Sequence, residues 1–256
     1  MTDTQLLPVI WVLGSMVIGV LVTLLISAAQ AERFRLTTGG RIGAQLGRLV
    51  YYIGIPYAAL LAKSLAPIDL GLAGNSGLIL GWSSVDWLKQ LNDVLIVGAV
   101  VLIPIGLTAR QMARAHMPLG VDERSTGAIL IDAAYAEVHW AFYRAAPFVI
   151  LNNVFLATLI GLGLVSVEVL VTILRNGFGT QPEERQSWIG RALFMAMSAT
   201  LFILTHNLWL ALALHIVIEL ALKIWSTRLA RLAGFHIPIE RETTSGPLET
   251  IEPPVV

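Results

Sequence analysis

Long apolar runs separated by short polar segments divide this chain. Residues 6–29 are uncharged and long enough to cross a bilayer as a helix, which takes about 20 apolar residues. Residues 49–67 form a weaker second run, interrupted by Pro56 and carrying Lys63 near its end. A third run begins at residues 94–109 and leads into Arg110 and Arg114. Residues 127–150 keep a helical pattern but are polar on more than one face, with Asp132, Glu137, His139, Tyr143 and Arg144. Apolar runs follow at 151–174, 188–205 and 207–225, the last two joined by a short turn. The pattern predicts an all-α, polytopic transmembrane helix bundle of about seven spans. Three regions are expected: N-terminal transmembrane helices and loops over 1–126, a helical core over 127–231, and a tail over 232–256. The tail is rich in Pro, Glu and Thr and is expected to be disordered and cytoplasmic.

Composition agrees with a membrane setting. Hydrophobic residues make up 56% of the chain and charged residues 13%, with a mean hydropathy of +0.74. A soluble domain carries roughly 25% charged residues. The formal net charge is zero, so no nucleic-acid partner is expected. The chain has no cysteine, which excludes disulfides, thiolate metal sites and cysteine nucleophiles. Arginines cluster after the first and third runs, between 175 and 191, and after the last run. With seven crossings these clusters fall on one side, and the positive-inside rule makes that side cytoplasmic. The expected location is the plasma (inner) membrane, N-terminus outside and C-terminus inside.

Candidate chemistry is concentrated in the stretch THNLWLALALHIVIELAL, residues 205–222, which carries His206, His215 and Glu219 in apolar surroundings. Ionisable groups at membrane depth are costly and should face a bundle interior or a wet cavity. His215 and Glu219 are four apart and share a helix face. In the 127–150 helix, Glu137 and Arg144 are seven apart on one face, and His139 and Tyr143 are four apart on another. Each polar stripe needs a partner inside lipid, so these two helices are expected to be neighbours. Glu137 is then either one end of an interior salt bridge or a carboxylate that activates water opposite His215. The chain has no HExxH, phosphate loop or GxSxG.

The segment THNLWLALALHIVIEL resembles the closing motif of the CPBP family, the CAAX-protease and bacteriocin-processing intramembrane proteases. That motif is a TGSLW-like turn followed by a helix with His-x-x-x-Asn or Asp. Asn207-Leu208-Trp209 matches the turn, His215 the histidine and Glu219 its polar partner. AEVHWAFYRAAP lies where the family has Glu-Glu-x-x-x-Arg, so Glu137 corresponds to a motif glutamate and Arg144 to the arginine. The resemblance covers residues 127–225. It implies an intramembrane metalloendopeptidase, cleaving peptide bonds in membrane-associated protein or peptide substrates. Glu137, His215 and Arg144 would be its catalytic residues. A metal, zinc by the chemistry of the donors, would be held by His215 and Glu219 with His139 and His206. The chain departs from the pattern: Glu137 has no adjacent glutamate, the arginine is displaced, and the 151–174 helix has no histidine. These departures are what the alternative expects, a catalytically degenerate scaffold or partner-binding subunit of the same fold.

Overall fold

The structure, a computed structural model, describes residues 3–26, 36–72, 84–114, 124–176 and 182–232. Their order is α1 (Asp3–Leu25), α2 (Thr38–Leu49), a π turn (Val50–Gly54), α3 (Ile55–Leu61), α4 (Ser84–Arg114), α5 (Thr126–Leu151), α6 (Val154–Asn176), α7 (Pro182–Thr205) and α8 (Leu208–Leu232). No strand occurs among the described residues. The C-terminal tail, the loop bearing Trp82, His116 and the arginines at 33 and 35 lie outside them.

Among the described residues, four helices are long and apolar enough to cross a membrane: α1 over Leu6–Leu25, α4 over Leu88–Leu107, α6 over Val154–Arg175 and α8 over Leu208–Arg228. Their apolar side chains largely face outward. On α4, Leu95, Val100 and Ile103 are all more than half exposed. Such surfaces have no solvent in water and a natural one in hydrocarbon. The expected 49–67 run is instead a composite of α2, the π turn and α3, ending at Leu61. The break sits at Pro56, whose missing N–H cannot continue an α ladder. The chain widens just before it, with Ile55 N–H bonding the Val50 carbonyl.

The helix that the other elements surround is α5, the polar one. It is the only described helix to bury ionisable residues of both signs, Glu137 and Arg144, together with Phe142 and Tyr143. Ser125 caps its start, accepting from Ala128 N–H at 3.2 Å. Asn152, left-handed at φ 46°, ends it, and Asn153 then accepts from Leu156 N–H at 3.0 Å to begin α6. The α5–α6 hairpin closes tightly at Gly161, where an added Cβ would stand 3.0 Å from the backbone N and Cα of Arg144. Gly161→Ala should therefore push the hairpin apart and cost about 1–3 kcal/mol. Unfolding by heat or SDS in micelles would read the loss, and unchanged stability would show that the helices can separate freely.

A similar hairpin joins α7 to α8. His206 is left-handed at φ 49°, and Asn207 caps α8 by accepting from Trp209 and Leu210 N–H at 3.0 and 3.2 Å. Leu208 N–H bonds the carbonyl of Gly71 at 2.9 Å, and Trp209 Nε1 bonds Leu72 O at 3.1 Å. Gly71 is required here: its φ is +73°, and a Cβ would meet Phe202 and the His206 backbone. The turn matched by Asn207-Leu208-Trp209 is thus a docked helix cap. Helices α5 and α8 are in contact, as their polar stripes require.

Candidate functional site

Glu137 is fully buried near the middle of α5. His215 Nδ1, from α8, lies 2.9 Å from Glu137 Oε1. Ser198 Oγ, from α7, donates to Glu137 Oε2 at 2.6 Å. Arg144 does not pair with Glu137 directly; its Nη1 donates to Ser198 Oγ at 3.4 Å, so the hydroxyl relays the contact. The Arg144 guanidinium lies over the Phe202 ring, 3.9 Å from its centroid. His215 stacks on Phe194 with centroids 4.3 Å apart. Its other nitrogen, Nε2, is 3.6 Å from Glu219 Oε1, an ion-pair distance rather than a hydrogen bond. Glu137, His215 and Glu219 therefore converge, from two helices that only the fold brings together.

The ionic contacts continue outward. Glu219 Oε2 is 3.3 Å from Arg124 Nη2, Arg124 Nη1 is 3.3 Å from Asp132, and Asp132 is 2.7 Å from Arg48. Lys223 Nζ also donates to the Arg124 carbonyl. Charge alternates in sign along this series, from half-exposed Arg48 to sealed Glu137. The outer pairs are partly solvated and each contributes little, about 0–1 kcal/mol. The inner ones are the costly kind, in which loss of one partner strands the other.

A second polar centre lies on the opposite face of α5. Glu168, from α6, accepts from Tyr51 O–H at 2.7 Å and from Tyr143 O–H on the same oxygen, Oε1. Its Oε2 is 2.9 Å from His139 Nε2. His139 Nδ1 is buried without a partner. The aromatic rings close around this centre, with His139 against Tyr143, Tyr51 and Tyr52. Glu168 also lines a cavity of about 1150 Å³, bounded by α1, α2, the π turn and the start of α7. The cavity beside Arg144, bordered by Thr158 and Gly161, has about 10 Å³, room for a single water.

No family model, curated protein or solved structure matches the chain.

The residues expected to hold a metal do not make one site. His215 and Glu219 are adjacent, but His139 belongs to the Glu168 centre. His206 sits edge-on to Phe148 and Phe202 at the α7–α8 turn. Among the described residues, no group of three or more His, Asp or Glu is arranged to hold a metal ion. His215 already faces a carboxylate from each ring nitrogen. This donor set does not fit the expected zinc site, and no chemical step is derived through one. The sequence reading missed Ser198 and Tyr51. A pair of tyrosines in an apolar segment was the available signal for Tyr51; Ser198, in a run of small residues, gave none.

Proposed function

We propose that the chain is a membrane-embedded binding protein with a CPBP-like helical core, in which the Glu137 centre holds the bundle together rather than hydrolysing peptides. The observation that carries this reading is the sealing of Glu137. Both of its oxygens are engaged, and the imidazole that would orient a water is held against it. A general base needs its proton donor within about 2.6–3.2 Å, with room for the substrate. The missing second glutamate and the missing middle histidine support the same reading. The arginine clusters support seven crossings, to which α5, α7 and the α2–α3 composite would contribute beside the four apolar helices. They also support a plasma-membrane protein with its C-terminus in the cytoplasm.

One observation favours the second reading, an intramembrane endopeptidase: Glu137, His215 and Arg144 meet in one place, as the family resemblance implies. Glu137→Gln and Arg144→Ala separate the two. A binding protein should tolerate Glu137→Gln with its partner binding intact and suffer more from Arg144→Ala, which removes the buried cation that Ser198 links to Glu137. An endopeptidase should fold normally as Glu137→Gln but lose cleavage of membrane-associated peptides by orders of magnitude. Measuring micelle stability and peptide processing for both variants decides between them, and a processing activity abolished by Glu137→Gln alone overturns our reading.

A further inference from the structure

The Glu137 centre does not explain the cavity of about 1150 Å³ lined by α1, α2, the π turn, α6 and α7. Its walls are mostly apolar and come from facing helices: Ile18 and Val22 on α1, Leu46 and Val50 at the α2–π junction, and Val169 on α6. Val22, Leu46 and Val50 are each about half exposed within it. Arg48, Arg191 and Trp188 also line it. Arg191 is exposed, lies over the Trp188 ring at 5.1 Å, and makes no ion pair among the described residues. Arg48 contacts Asp132 through one nitrogen only.

We propose that this cavity binds one anionic phospholipid, its phosphate on Arg191 and Arg48 and its acyl chains along the α1 and α2 walls. The guanidinium fork suits phosphate oxygens, and tryptophan suits the headgroup level of a bilayer. Glu168 lies in the wall with both oxygens taken by Tyr51, Tyr143 and His139, so its charge is met by donors of the protein itself. The space exceeds the roughly 300–1,000 Å³ of small-molecule pockets, as a ligand with two acyl chains requires. The inference names a ligand for the binding-protein reading and rests on it for its biological meaning, but its test does not involve Glu137.

Native mass spectrometry of the full chain in neutral detergent, titrated separately with phosphatidylglycerol and phosphatidylcholine, tests the assignment. Phosphatidylglycerol should be retained roughly tenfold better, because the choline cation of phosphatidylcholine offsets the charge of the phosphate that both lipids present to the arginines. Arg191→Gln should bring the two lipids to near parity. Gly47→Leu, at a cavity-lining position where a Cβ meets nothing within 4 Å, should fill the cavity and weaken retention of both. Should Gly47→Leu fail to fold, Arg191→Gln decides alone, because that side chain is exposed. Equal retention by the unaltered protein, an unchanged ratio in Arg191→Gln, or full retention in folded Gly47→Leu overturns the proposal. So does displacement of the lipid by inorganic phosphate alone, or a second copy of the chain cross-linked into the cavity. Loss of peptide processing in Glu137→Gln would sink the binding-protein reading and leave these lipid measurements standing.

Discussion

His215→Ala should destabilise the bundle by about 3–5 kcal/mol, the cost of breaking a buried ion pair from one side. Glu137 is sealed from solvent, and removing the imidazole leaves its Oε1 facing a hole while Ser198 still serves Oε2. The loss is compounded by packing, because the ring stacks on Phe194 and Trp140. Glu219 is buffered, since Arg124 remains beside it. The cause can be isolated with a double-mutant cycle in micelles. In a Glu137→Gln background the charge is gone, so His215→Ala should cost clearly less than in the unaltered protein. An equal cost in both backgrounds would mean that the ring matters only as a filler and that the pair carries no special energy.

Glu168→Leu should be the next most damaging change, at about 2–4 kcal/mol, because it removes the acceptor shared by three donors. His139 Nε2 would be left without a partner next to an already unpartnered Nδ1. The tyrosines lose less. Tyr51 can turn to the Ser15 carbonyl at 3.3 Å, and its hydroxyl is 3.3 Å from that of Tyr143. Glu168→Gln, which retains an acceptor oxygen, should cost about 1 kcal/mol. Thermal unfolding of the two variants side by side gives the answer. Equal effects would show that charge at 168 matters and the acceptor does not.

The helices themselves were readable because hydrocarbon enforces the pattern: apolar runs at 6–29, 151–174 and 207–225 became α1, α6 and α8 with shifts of a few residues. The adjacency of α5 and α8 followed from the cost of leaving two polar stripes in lipid, and it brought Glu137 to His215. Spacing along one helix reports which residues share a face, and His139 with Tyr143 was correctly grouped on that basis. It does not report what stands opposite. Arg144 was expected to meet Glu137 and does so only through Ser198, a residue on another helix 54 positions away. His139 and His206 looked like ligands because histidine at membrane depth is unusual, but one serves Glu168 and the other fills an aromatic turn. The composite at 50–61 was hidden for a different reason, since nothing in a hydropathy pattern distinguishes an α turn from a π turn.

That π turn has a consequence for how the protein can change over generations. It holds one more residue than an α turn needs, so Val50–Gly54 is a place where the chain could lose a residue and still remain helical. Such a deletion would leave the flanking turns in nearly the same rotation, because the wide turn and the α turn that replaces it each complete about one revolution. Its effect on the polar interior depends on which residue goes: without Tyr51, Glu168 loses one of its donors. A length polymorphism at this point would therefore be mild for the backbone and felt chiefly around Glu168.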